Sequence, residues 1–262
     1  MTRQPNEKYA KWATSYQGFD GGNPNASIWF CGIEYGGGDD LVTKELLEDV
    51  ENDWVEWQML DGNRLPYFTP RDKQGNLIED KPVDGPFVIA QSKIISRFLG
   101  WPVNTWKKMA GKDGECFKMN LYPLPFKSHD DQLWTKEHYE RTGFISKSEY
   151  KTWNLNNRFP KLKQLVNIYS PDVLICFGLS LENEFLCAFC DNNDQIFETS
   201  ESITIGKKED KSERTLKFRY VNSNKTLLLI TPFPTGAYGL NSNLLLEQVA
   251  EKAKSLSSKI RP

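Results

Sequence analysis

A chain of 262 residues, 39% hydrophobic and 26% charged, has the balance of a globular protein with length enough for a large packed core. Its formal net charge of −2 excludes nucleic-acid binding by bulk positive charge, so such a partner must meet a local basic face. No opening segment has the basic-then-apolar form of a secretory signal and no apolar run approaches bilayer length, so the expectation is a cytoplasmic protein with no membrane partner.

In chain order, the first apolar run is 28–32, "IWFCG", short and nearly continuous rather than alternating, as in a strand covered on both faces. It breaks into Gly32-Ile33-Glu34-Tyr35-Gly36, which sets one acid at the strand's mouth. Behind Asp39 and Asp40, which can cap a first turn, Leu46, Leu47, Val50, Trp54 and Trp57 recur at helical spacing over 39–60. The polar stretch 61–84 reads as a surface insertion. Residues 86–99 open on Pro86, carry Phe87, Ile94, Ile95 and Phe98 on one side, and stop at Gly100, which predicts a helix.

A second strand is predicted at 116–121, "CFKMNL", running into Tyr122-Pro123. A helix over 160–169 ends at Ser170-Pro171, before a third strand at 173–177, "VLICF". Gly178-Leu179-Ser180 then leads into a helix over 180–190. A second polar stretch, 191–215, reads as another surface insertion, followed by a further strand at 216–221, "LKFRYV". The last core strand is 227–231, "LLLIT"; it runs into the loop "TPFPTGAYGLNSN", 231–243, and a closing helix at 242–258.

Strands alternating with helices of this length predict an α/β fold of three layers, α/β/α, in a single domain. At its centre is a mostly parallel, doubly wound sheet of four to five strands. In such a sheet ligands bind outside the carboxyl ends of the strands, so the loops after each strand should carry the chemistry and converge on one cleft.

The five cysteines are expected to be free in a reducing compartment, with Cys31, Cys116 and Cys176 as small buried hydrophobes. Cys187 and Cys190 form one C-x-x-C with no second pair at ligand spacing, so neither a metal nor another cofactor is expected. "GIEYGGG" lacks the G-x-G-x-x-G spacing of a dinucleotide site.

Five pieces in this order resemble the uracil-DNA glycosylase superfamily. Gly32-Ile33-Glu34-Tyr35-Gly36 is similar to that family's first motif, G-x-D/N/E-P-G/Y, whose third position orients water or stabilises the sugar cation. "DGPFVIAQSKIISRFLG", 84–100, looks like its G-R-P-F-V segment, "FKMNLYP" like its base-reading strand, and "PDVLICFGLS" like the strand and glycine turn that follow. Thr231-Pro232-Phe233-Pro234 matches the final H-P-S-P loosely. Thr231 stands where histidine is usual and Tyr35 where proline is usual, departures that admit a modified pyrimidine as well as uracil.

Breaking an N-glycosidic bond builds positive charge on the sugar and negative charge on the leaving base, so a carboxylate such as Glu34 is suited to catalysis. Asn120 carries a donor and an acceptor for a base edge, or caps its strand. Tyr35 and Phe126 are candidates to stack on an extruded base, with core packing as the alternative. Phe233, Tyr238 and Leu240, among Pro and Gly, are candidates for the wedge that fills the vacated stack, or for loop anchors. Gly178 and Ser180 open a helix whose N–H groups can hold a DNA phosphate, with Ser180 equally an N-cap, and Thr231 lines the same edge.

His129, in "KSHDDQ", is a candidate for the missing electrophile; His138 is expected on an exposed helical face. Lys252, Lys254, Lys259 and Arg261 give the last helix a basic end that could meet DNA. No lysine is clearly placed as a Schiff-base nucleophile, so strand cleavage is not expected. The implied function is a monomeric DNA glycosylase that leaves an abasic site, as in repair or defence against modified phage genomes. An N-glycosidase acting on free nucleosides, or a non-catalytic nucleic-acid-binding module, are the competing readings.

Overall fold

The structure, a computed structural model, describes residues 4–14, 21–34, 86–101, 114–124, 126, 134–190, 200–207 and 212–260. The helix expected over 39–60, the stretch 61–84, Tyr35, His129 and Arg261 lie outside the described residues.

Among the described residues seven strands form one sheet: β1 Gly21–Gly22, β2 Ile28–Gly32, β3 Cys116–Asn120, β4 Val173–Phe177, β5 Glu201–Ile205, β6 Arg214–Val221 and β7 Thr226–Thr231, in the order β1-β3-β2-β4-β7-β6-β5. The four strands β3, β2, β4 and β7 are parallel neighbours, and every residue in them is buried. That double coverage is why each is legible as a continuous apolar run.

Antiparallel strands extend this parallel core at both edges. β6 and β7 are joined by a turn in which Asn222, Ser223 and Asn224 all adopt positive φ. β5 falls inside 191–215, the stretch read as a surface insertion; its residues 201–205 are instead part of the sheet. It is an edge strand with mostly exposed side chains, so only Ile203 and Ile205 carry an apolar signal.

Seven helices lie among the described residues: α1 Glu7–Ala13, α2 Pro86–Leu99, α3 Lys136–Thr142, α4 Lys147–Asn157, α5 Phe159–Tyr169, α6 Glu182–Phe189 and α7 Asn243–Ser257. On one face of the sheet, Ile94 and Ile95 of α2 and Leu245, Val249 and Ala253 of α7 cover Phe30, Ile175 and Leu229. On the other, Tyr9 and Trp12 of α1, Tyr150 of α4, Leu162 of α5 and Phe185 of α6 cover Trp29, Met119, Cys176 and Ile230. The result is the expected three-layer α/β/α architecture. No described helix is long and apolar enough to cross a membrane.

The segment expected as one helix over 180–190 is a 3-10 turn, Leu179–Leu181, followed by α6. All five cysteines are free, and of these only Cys187 is exposed.

Candidate active site

Register sets all four parallel strands to end at one edge, with Gly32 opposite Asn120, Cys31 opposite Cys176 and Phe177 opposite Thr231. Beyond the strand ends, pairing continues for two residues: the N–H groups of Leu121 and Tyr122 donate to the carbonyls of Gly32 and Ile33 at 3.1 and 2.8 Å. Across the next two strands, Gly178 N–H donates to Thr231 O at 2.8 Å. Gly178 has φ +127°, and a Cβ there would come within 2.9 Å of Ile33 Cδ1 and 3.3 Å of Phe233 Cε2. Glycine thus permits the close meeting of three loops at this point. The loops after all four core strands meet at one edge.

Asn120 is buried, and its Oδ1 lies 2.2 Å from where a Cβ on Gly32 would stand. The missing side chain at Gly32 is what lets the Asn120 amide lie against β2. Gly32→Ala is therefore expected to keep the fold, displace that amide and cost about 1–3 kcal/mol of overpacking. A lowered melting temperature with a shifted Asn120 side-chain amide NMR signal checks this; an unmoved signal would refute it.

Alternation along β3 sets Asn120 on the same side as Lys118, whose Nζ lies 5.3 Å from the centre of the Phe87 ring of α2. Glu34 instead interacts with groups from the α4 side: Lys147, Lys151, Tyr122 and Tyr150. The two residues therefore share an edge but not a face.

Glu34 is half-buried, and burial pushes its carboxyl up to about 7 against the downward pull of the Lys147 and Lys151 ammonium groups. Burial also raises the Tyr122 phenol, with added repulsion from Glu184, Glu34 and Cys187. The Tyr150 phenol rises through burial first, then Tyr9 and Glu34. Both tyrosines stay neutral hydrogen-bonding groups beside the acid.

The support around Glu34 comes from residues that the apolar pattern did not single out. Lys147, at the start of α4, is 1% exposed, and its Nζ lies 3.8 Å from the centre of the Phe126 ring. Tyr150 Oη accepts the Leu124 N–H at 3.1 Å. Arg158, fully buried between α4 and α5, donates from Nε to Leu121 O at 2.9 Å, from Nη1 to Ala13 O at 2.8 Å and from Nη2 to Asn120 O at 3.1 Å. One guanidinium thus ties α1 to the loop that follows β3. A sequence signal for α4 did exist: Ser146 and Glu149 stand at capping-box spacing, and the Ser146 hydroxyl accepts the Glu149 N–H.

Several expectations need correction. Phe126 is buried, with its ring 5.2 Å from His138 at an interplanar angle of 13° and 6.1 Å from Trp134, so it is core rather than a platform for a base. His138 is likewise buried rather than exposed, with Nδ1 accepting the Thr135 N–H at 3.2 Å. Thr231 is buried, and its hydroxyl donates to Pro232 O at 2.9 Å, turned into the fold. Ser180 is exposed in the 3-10 turn and caps nothing; the residue before α6 is Leu181, and Glu182 and Glu184 occupy the first turn. Those acids put negative charge where a phosphate would have sat.

In the last loop, Leu240 is buried and its N–H donates to Phe233 O at 2.8 Å, making it an anchor. Phe233 is 37% exposed and Tyr238 is 88% exposed. Arg214 on β6 braces the tip, donating from Nε to Gly239 O and from Nη2 to Ala237 O, each at 3.0 Å. Tyr238 is thus an aromatic held out on a stiffened loop. The basic end of α7 lies elsewhere: Tyr220, beside the amino end of β7, donates its hydroxyl to Leu256 O. Lys254 and Lys259 therefore sit at the sheet edge opposite the cleft. Among the described residues no group of three or more His, Cys, Asp or Glu could hold a metal.

No protein-family model matches the chain, and no curated protein matches it either.

Proposed function

We propose that the chain is a DNA glycosylase that hydrolyses the N-glycosidic bond of uracil or a modified pyrimidine and leaves an abasic site. The observation that carries this reading is Glu34, a half-buried carboxylate at the carboxyl edge of the sheet, flanked by Tyr122, Tyr150 and two lysines. Bond breaking sends the electron pair to the base and leaves a cation at the sugar. An ionised Glu34 lowers the energy of that cation and takes a proton from the attacking water.

The resemblance of the five sequence pieces to the uracil-DNA glycosylase superfamily supports the same reaction. Asn120 ends the neighbouring strand with its amide buried against Gly32, on the face away from Glu34, and adds no support to this reaction. In this proposal the protein acts as a cytoplasmic monomer on DNA.

Excision from DNA containing uracil, hypoxanthine, xanthine or 5-substituted and glucosylated cytosines, read as alkali-labile abasic sites, tests it. Release of one base supports the reading. Cleavage of free nucleosides alone, or DNA binding without turnover, overturns it in favour of one of the other two classes. Within it, Tyr238 is the wedge. Tyr238→Ala is expected to leave the melting temperature unchanged, since the side chain is 88% exposed, and to weaken duplex binding by about tenfold. Unchanged affinity in a duplex titration would remove Tyr238 from the DNA surface.

A further inference from the structure

Tyr238 is 88% exposed, yet one side chain holds the backbone on both sides of it. Arg214, the first residue of β6, donates from Nη2 to Ala237 O and from Nε to Gly239 O, each at 3.0 Å. One planar guanidinium thus grips the residues before and after the tyrosine. Its Nη1 donates to Glu213 O at 2.9 Å, which ties the fork to the chain entering its own strand. All three of these bonds end on backbone carbonyls, so the fork serves the shape of the loop.

Other restraints act on the same tip. The Leu240 N–H donates to Phe233 O at 2.8 Å and the Gly239 N–H to Gly236 O at 3.1 Å, so the loop closes on itself. Gly236 turns with φ +89°, and a Cβ on Gly239 would collide with the carbonyl oxygens of Thr235 and Phe233. Pro232 and Pro234 are buried and fix φ at the loop's entry. The Tyr238 ring therefore projects from a backbone held on either side.

This tip belongs to the edge that carries Glu34. Lys217 stands opposite Ile230, so Arg214, three residues earlier on an antiparallel strand, lies past the level of Thr231. At the base of the loop, Phe233 and Ile33 both crowd Gly178. A Cβ there would lie 3.3 Å from Phe233 Cε2 and 2.9 Å from Ile33 Cδ1, and Ile33 is the residue before Glu34.

An aromatic ring held ready binds at less entropic cost than one on a free loop. We infer that Arg214 is a positioning residue for DNA: it presets the tip so that the Tyr238 ring enters the duplex in one orientation, and it acts through that ring rather than through a phosphate. The inference rests on the reading of the chain as a DNA glycosylase with Tyr238 as its wedge.

The test compares the wild type with Arg214→Gln, Arg214→Lys, Tyr238→Ala and each Arg214 exchange combined with Tyr238→Ala. Hydrogen exchange of the free proteins is read first. Lysine cannot span two carbonyls, so both Arg214 variants are expected to speed amide exchange at Gly239 and Leu240 about tenfold, with the core strands as protected as before. Titration with a fluorescent duplex then reads affinity. Each Arg214 exchange is expected to weaken binding about fivefold alone, to add nothing once Tyr238 is alanine, and to leave the salt dependence unchanged.

Wild-type affinity in Arg214→Lys, a further loss in the Tyr238→Ala background, or a salt slope lowered by about one would each overturn the inference, since Arg214 then acts as a charge on a phosphate. Unchanged exchange at Gly239 overturns it too, because the fork then fixes nothing. A wild type that binds no duplex brings down the inference together with the DNA reading. Duplex binding with the expected coupling but no excised base leaves the role of Arg214 standing and removes only the glycosylase reading.

Discussion

Glu34→Gln is expected to lower excision about a thousandfold and, at the same time, to make the protein more stable above neutral pH. The rate effect follows from the charge. Two opposite charges ~4 Å apart at an effective dielectric of ~20 gain roughly 4 kcal/mol, which is about a thousandfold in rate. Glutamine keeps the shape and removes the charge, so affinity for DNA should be spared while kcat falls.

The stability effect has the opposite sign because the folded protein holds the Glu34 proton more tightly than the unfolded chain. Between the ordinary value of 4.5 and about 7, the unfolded chain has released that proton and the folded protein has not, so stability drains away as pH rises. Above about 7 the whole loss is present, and glutamine, which never ionises, escapes it. The balance already counts the attraction of Lys147 and Lys151. Raising the midpoint from 4.5 to about 7 corresponds to about 3 kcal/mol, at about 1.4 kcal/mol for each tenfold change. Thermal melting of both proteins at pH 5 and pH 8 checks this. They should melt within a degree or two at pH 5, and the variant several degrees higher at pH 8. A wild type that is the more stable of the two at pH 8 would contradict the burial of an ionised Glu34.

Arg158→Met is expected to cost about 3–5 kcal/mol, the largest stability loss for a single exchange at this site. Methionine matches the volume but donates nothing, so the carbonyls of Leu121, Ala13 and Asn120 lose their guanidinium partner inside the fold. A shift of roughly 10 °C or more in melting temperature follows for a chain of this size. Lysine restores the charge but cannot span three acceptors with one fixed fork, so Arg158→Lys should recover only part of the loss. Because the Leu121 carbonyl belongs to the loop that carries Tyr122 past Glu34, excision should fall with stability. Melting of Arg158→Met within two degrees of the wild type would show that the three bonds do not anchor the loop.

The two halves of this site were unequally legible in the chain. Glu34 is legible as a candidate because a strand covered on both faces is a continuous apolar run, and an acid two residues beyond its closing glycine is marked by contrast. Asn120 is legible as a candidate through the resemblance of "FKMNLYP" to a base-reading strand, within the neighbouring apolar run. Lys147, Tyr150 and Arg158 were passed over because α3 and α4 are short and polar, with Tyr150 and Trp153 as the main apolar marks along α4. Phe126 and Leu240 were misjudged because an aromatic or leucine among turn residues gives no local sign of whether it points to the core or to solvent. Their burial is decided by the partners that arrive: His138, Trp134 and Lys147 for Phe126, and the Phe233 carbonyl for Leu240. His138, expected exposed and found buried, is the same error made with a polar residue.

The sequence by itself determined the parallel core and its polarity, down to the bounds of 28–32 and 173–177, because apolar continuity is a local record of burial on both faces. It also determined the edge at which the loops meet, since every core strand must run the same way to pair in parallel. Only the tertiary structure decided which charges surround Glu34. Electrostatic environment depends on distance in space, and the lysines whose charge pulls the Glu34 carboxyl down come from a helix remote in the chain.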